Sequence, residues 1–191
     1  MTGRRWAAGL ALAAGIALLP AVVQAQDAKQ RARCDEAVQL FRSADRGMTK
    51  FFEGAVGYAI FPSVGKGAFI VGGAAGTGCL YEGDAITGQA KLVQVTVGVQ
   101  LGGQAYAEII FFQTPDALAS FKSSSFEMSA QVSAVAAASG ASANARYELG
   151  VLVFTIAKGG LMYEASVGGQ KFTFKPLPQP APGTTTEPQK D

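Results

Sequence analysis

The spacing of apolar residues changes several times along the chain, and each change predicts an element. From Asp27 to Arg46, Ala28, Ala32, Cys34, Ala37, Val38, Leu40, Phe41 and Ala44 recur at three- and four-residue steps. That spacing predicts an amphipathic helix with Gly47 as its stop. Thr49 is placed to cap a short second helix, Lys50 to Glu53. Next comes an apolar run from Gly57, closed by Pro62, then a turn at Ser63 to Gly67 that carries Lys66. A strand-like run, Ala68 to Val71, leads into a ribbon of Gly, Ala and Thr that ends at Gly78. Glycine weakens a strand unless something must come very close, so the ribbon predicts tight packing within a sheet.

Lys91 to Leu101 has a period of two, with Val93, Val95, Val97, Val99 and Leu101 on one face and Gln94, Thr96, Gly98 and Gln100 on the other. This predicts a half-exposed antiparallel strand. Gly102-Gly103 supplies a hairpin turn, and Gln104 to Gln113 returns, with Glu108 either exposed or paired. Thr114-Pro115-Asp116 is a helix start, with an N-cap, proline at the first position and an acid in the first turn. Its apolar stripe is Ala117, Leu118 and Phe121. Phe126 to Ser139 alternates and predicts a strand of small residues; Gly140 to Ala145 reads as a loop. Leu149 to Ala157 predicts a strand covered on both faces. Turns at Lys158-Gly159-Gly160 and Gly168-Gly169 then separate two more strands, Leu161 to Val167 and Gln170 to Lys175. The expected fold is α+β: a strongly curved antiparallel sheet or small barrel, packed with the N-terminal helix and a second short helix from Thr114.

The 191 residues fit one domain with tails. Apolar residues are 49% and charged residues 16% of the chain, enough for a core and too few charges for a nucleic-acid partner. Residues 1–25 read as a secretory signal peptide, with Arg4 and Arg5, an apolar stretch from Trp6 to Leu19, and a cleavage-like Val23-Gln24-Ala25. Removing Arg4 and Arg5 takes 16 cations to 14, against 14 anions. Any anion attraction must therefore come from local clustering. Periplasmic or exported localisation is expected. Residues 176–191, rich in Pro, Gln and Thr, predict a disordered tail.

Histidine is absent, which excludes Ser-His-Asp and Cys-His catalysis and histidine metal sites. No phosphate-cradling glycine motif is present, since Lys66 is followed by Gly67 and the required upstream glycine is Ile60. No carboxylate pair is recognisable, so no catalytic residue, metal or cofactor is assigned. Cys34 and Cys79 are either two buried thiols or, in an oxidising compartment, a disulfide worth roughly 3–4 kcal/mol.

One set of motifs resembles a known family. The residues are Phe52-Glu-Gly-Ala-Val-Gly-Tyr-Ala-Ile-Phe61-Pro62, then Val64-Gly-Lys-Gly-Ala-Phe-Ile-Val-Gly-Gly73. Val97-Gly-Val-Gln-Leu-Gly-Gly-Gln-Ala, the helix from Thr114 to Phe121, and Lys158-Gly-Gly-Leu-Met-Tyr-Glu-Ala-Ser-Val-Gly-Gly continue it. Together they are similar to the SYLF domain, a lipid-binding family, across residues 26–175. The resemblance implies a non-enzymatic module that binds phospholipid. Some relatives also bind actin filaments, an activity not carried over here because the signal peptide directs the chain to where actin is absent.

The expected partner is an anionic phospholipid or membrane surface. Lys66 would meet phosphate, helped by Lys29, Arg31, Arg33 and Lys50, with apolar contact from Phe51, Phe52 and Phe61. The alternative is a structural protein of the cell envelope that presents a rigid β scaffold to a protein partner.

Overall fold

The computed structural model describes residues 18–65, 73–95, 105–124, 126–129, 131–158 and 167–177. Helix α1, Leu18–Ala44, is followed by a 3-10 turn at Arg46–Met48 and by α2, Thr49–Gly54. The strands are β1 (Gly57–Gly65), β2 (Gly73–Glu82), β3 (Ala85–Val95) and β4 (Tyr106–Phe112). After α3 (Pro115–Lys122) come β5 (Ala134–Ala136), a 3-10 turn at Ala141–Ala143, β6 (Val151–Ala157) and β7 (Gln170–Pro176). The expected strand at Ala68 to Val71, the Gly102-Gly103 residues and the run at Leu161 to 166 lie outside the described residues. The expected return of β4 beside β3 as a hairpin does not form: β4 pairs with β1 and β6, and β3 with β2 and β7.

The seven strands form one sheet in the order β5-β6-β4-β1-β2-β3-β7. It is α+β, as expected, but mixed: β5 runs parallel to β6, while every other pair is antiparallel. Beyond β7, Met128 N–H donates to the Gln170 carbonyl at 2.8 Å and Phe172 N–H to the Phe126 carbonyl at 3.2 Å. Residues 126–134 therefore begin outside one edge strand and end in the other. In a flat sheet those two places would lie seven strand spacings of about 4.8 Å apart, or about 34 Å. The six residues from Met128 to Ala134 reach at most about 22 Å. The sheet must curl, and this strap is what spans its mouth.

Each face of the sheet buries a core. The inner face holds Phe61, Leu80, Leu92, Ile110, Phe112, Val153 and Phe172, closed over by Leu118 and Phe121 of α3 and by Met128 and Val132 of the strap. The outer face holds Tyr58, Ile60, Tyr81, Ile109, Phe111 and Phe154 beneath Val38 and Phe41 of α1 and Phe51 of α2. A disulfide joins Cys34 of α1 to Cys79 of β2, across a Cα separation of 6.2 Å and 45 residues of chain. It cross-links a loop long enough to stabilise the fold by about 4 kcal/mol.

Several local predictions are corrected by these contacts. Asp45, not Gly47, ends α1: its side chain accepts from Gly47 N–H and caps the 3-10 turn. Thr49 makes no N-cap; its hydroxyl donates to the Arg46 carbonyl at 2.9 Å. Pro62 does not close β1. The strand continues to Gly65 through a register irregularity between Phe61 and Val64, where proline's missing N–H is tolerated. Of the expected strand Phe126 to Ser139, only Ala134–Ala136 joins the sheet as a strand, because the strap crosses the mouth of the curl and does not line its wall.

The glycine ribbon packs as predicted where it is described. A Cβ added to Gly78 would collide with the Ile60 carbonyl oxygen of the neighbouring strand. Gly83, at φ +61°, makes the β2–β3 turn. Thr114 caps α3 through Ala117 N–H, with Pro115 at the first position, as its local chemistry predicts.

Candidate functional site

Helix α1 lies across the outer face. Gln30 donates to the Thr77 carbonyl at 3.2 Å, and Gln89 donates to Asp27 at 2.7 Å, so the helix passes over β2 towards β3. Cys34, Ala37, Val38 and Phe41 are its buried stripe. At about 100° per residue, Lys29, Arg33 and Leu40 share one flank while Arg31, Asp35 and Arg42 share the other. The expected single basic side of Lys29, Arg31 and Arg33 is thus divided, because Arg31 and Arg33 point about 160° apart around the helix axis.

The two flanks do different work. On the Arg33 flank an open cleft of about 150 Å³ lies between α1 and the sheet, lined by Arg33, Glu36, Ala37, Leu40, Pro62 and Lys158. Lys158 follows β6 and is exposed; its backbone N–H donates to the Ala105 carbonyl at 2.8 Å, which fixes it beside the start of β4. The described residues contain two ion pairs, Lys122–Glu82 and Lys171–Glu127, and neither uses a residue of this cleft. Leu40 is 42% exposed at its edge. The cleft therefore offers two cations and one carboxylate, Glu36, beside an apolar floor.

On the Arg31 flank, charge is used for packing. The Tyr81 hydroxyl donates to Asp35 at 2.6 Å, and the Arg42 guanidinium sits 3.9 Å from the Phe52 ring. Tyr58 stacks on Tyr81 with centroids 4.8 Å apart. Burial and the Asp35 hydrogen bond push the Tyr81 phenol far above its usual range. Burial, opposed by Arg42, pushes Tyr58 up to about 12.

The residues proposed from sequence are accordingly dispersed. Arg33 is in the cleft and Lys29 is exposed on the same flank; Arg31 is exposed on the other. Lys50 is exposed on α2, its ammonium 4.8 Å from the Phe51 ring. Lys66 lies outside the described residues. Phe61 is fully buried against Phe172, and Phe51 is buried among Phe111, Tyr147 and Phe154. Both are core rings rather than surface contacts, since inner and outer faces are each closed above them. Phe52 is half-buried between Tyr58, Phe111 and Arg42.

Inside the curl lies a second polar feature. Gln170 Nε2 donates to Glu108 Oε2 at 2.9 Å and to the Tyr106 hydroxyl at 3.2 Å. The Tyr106 hydroxyl donates to Gln94 Oε1 at 3.3 Å. Gln94, Glu108 and Gln170 are all buried. Burial pushes the Glu108 carboxyl up to about 8, opposed by the Gln170 hydrogen bond.

Residues 93–176 match the model of the Ysc84 family. Its description reads "Las17-binding protein actin regulator". The matched stretch is 84 of 191 residues (176 − 93 + 1), and over it the SYLF resemblance holds. The Ysc84 match includes Gln94, Tyr106, Glu108, Lys158 and Gln170, whereas Arg33, Leu40 and Pro62 lie N-terminal to it. No curated protein matches the chain.

Lys158 is the cleft residue that sequence reasoning missed. It stands in a Lys-Gly-Gly sequence whose local chemistry predicts only a turn; a lone cation at a strand end facing a helix about 120 residues earlier leaves no local signature. The lysines of β3 and β7 were also passed over. Lys91, Lys171 and Lys175 are exposed, beside a Val93 that is 43% exposed. Their period-two spacing on paired strands was the available signal.

Proposed function

We propose that this is an exported, non-enzymatic binding module that docks on anionic phospholipid through the cleft between α1 and the sheet. Arg33 and Lys158 would take the phosphate, Lys29 on the same flank would add field, and Leu40, Ala37 and Pro62 would take apolar surface. The observation that carries this reading is the cleft itself: Arg33 and Lys158 outnumber the one acid of the lining, Glu36, neither cation has a carboxylate oxygen within 4.0 Å among the described residues, and the rest of the lining is apolar. The Cys34–Cys79 disulfide supports an oxidising compartment. No described helix is long and apolar enough to cross a membrane. A leader cut before Gln26 would leave the Asp27–Gln89 contact intact. N-terminal sequencing of the mature protein tests this, and an intact Met1 on the cytosolic protein would sink it.

Each cation near a charged leaflet contributes about 1 kcal/mol, so Arg33→Gln with Lys158→Gln should weaken binding about 30-fold. The measurement is co-sedimentation with phosphatidylglycerol-containing vesicles against phosphatidylcholine alone, at low and high salt. Binding that ignores lipid charge and salt, or a double variant that binds like the parent, removes the proposal.

A second reading, a scaffold for an envelope protein partner, is favoured by one observation. The outer surface of β3 and β7, with Lys91, Lys171, Lys175 and Val93, is exposed beyond the core that α1 and α2 cover. A stoichiometric partner lost on Val93→Glu, with no lipid in the purified protein, would select it.

A further inference from the structure

The buried polar cluster is used by neither reading, and it is incomplete in a specific way. Gln170 reaches Glu108 from β7, although β1, β2 and β3 stand between β7 and β4 in the sheet. The contact is made across the interior of the curl. Glu108 Oε2 accepts from Gln170 Nε2. The other oxygen of each group, Glu108 Oε1 and Gln170 Oε1, is buried without a hydrogen-bond partner among the described residues. Two bare acceptors of this kind are costly, because each has left water and gained nothing.

A carboxylic acid facing a primary amide makes two antiparallel hydrogen bonds. The amide N–H donates to one acid oxygen, and the acid O–H donates to the amide oxygen. The first of these is present, and the two bare oxygens are the pair that the second would join. We propose that Glu108 and Gln170 are a buried proton-binding site, in which Glu108 takes one proton from solvent onto Oε1 and donates it to Gln170 Oε1.

The surroundings favour a proton over other occupants. On β1 the residue opposite Glu108 is Phe61, and on β6 it is Thr155. Gln94 faces the cluster from β3, Gln170 from β7, and Tyr106 precedes it on β4. None of these is a cation or a second carboxylate. Among the described residues, the other titratable group at the cluster is Tyr106, whose phenol is itself pushed up by burial and by Glu108. A hard metal ion would want six or more oxygens, and no group of three acidic or thiol ligands gathers among the described residues. The ordinary range of a carboxylate is raised here by burial, which acts in the same direction as the geometry.

The sign of the linkage follows. The unfolded chain loses this proton near 4.5 and the folded one near 8, so folding holds a proton between those values. Stability from this group is complete below 4.5, falls as pH rises towards 8, and is flat above. Across that window the ratio of folded to unfolded protein should fall about ten-fold per pH unit on account of Glu108 alone.

Glu108→Gln replaces the acid with an amide that makes both bonds without a titrating proton. Urea unfolding of parent and variant from pH 5 to 9 should show the variant's pH curve shallower by one proton. Infrared spectra of the folded parent, isotope-labelled at glutamate, should show a protonated carboxyl band at pH 6 that is lost above 8. Parallel pH curves, or a fully ionised set of glutamates in the folded parent at pH 6, overturn the proposal. The spectra decide the matter even if the variant does not fold.

Discussion

Two buried carboxylates in this protein behave in opposite ways. Asp45 is 5% exposed at the end of α1, and Glu108 is fully buried inside the curl. Asp45 accepts from Ser142 N–H at 2.7 Å through one oxygen and from Gly47 N–H at 2.9 Å through the other. The Ser142 N–H, against the opposing effect of burial, holds its carboxyl below the usual range. Glu108 has a single amide donor on one oxygen and is pushed up to about 8. Both are covered, but Glu108 lies deep in the interior and Asp45 close to the surface; depth of burial and the number of fixed donors that meet the charge together set the two directions. Asp45 stabilises the fold above the ordinary carboxylate range, and this is lost as pH falls through its lowered value. Glu108 does the reverse and loses its contribution as pH rises.

The sharpest way to separate the two regions is through the disulfide, which anchors α1 and not the interior. Cys34→Ser with Cys79→Ser should cost about 4 kcal/mol in urea unfolding. The slope of stability between pH 5 and 8 should survive, because Glu108 faces the other core; a flattened slope would break the comparison. Gln170→Leu removes the donor from Glu108 and should cost about 1–3 kcal/mol at pH 6. Asp45→Asn gives up one charge-assisted bond, about 1.5–3 kcal/mol at pH 7. That loss should fade as acid protonates the parent, so the two stability curves converge at low pH. Tyr106→Phe removes the hydroxyl that joins Gln94 to Gln170, and a change of about 1 kcal/mol, constant from pH 5 to 7, is expected.

Where local chemistry decides an element, the sequence was enough. Thr114-Pro115-Asp116 starts α3 and Gly168-Gly169 precedes β7, each through residues within four positions of one another. The curl and its contents were not legible in that way. In β3 the alternation was seen but its sense was inverted: Val93 is 43% exposed, while Leu92 and Gln94 are buried. Hydropathy assigns valine to the core, but Gln94 is drawn inward by Tyr106, a residue on another strand. The strap was read as a strand for the same reason, since an alternation of small residues says nothing about where an edge lies. Of the site, Arg33 was legible from its place on an amphipathic helix, whereas Lys158 became a partner only once β6 had been placed.

The strap and β7 have a bearing on how the molecule is made. Each closes the other, and β7 follows every other described strand in sequence. A polypeptide that emerges N-terminus first can assemble the β1-β2-β3 meander, β4 beside β1, and α3 with Phe172 and Gln170 still to arrive. Its interior stays accessible until the final strand docks, and contacts this distant in sequence form slowly. Completion of the inner core thus waits on β7, the last of the described strands to be synthesised.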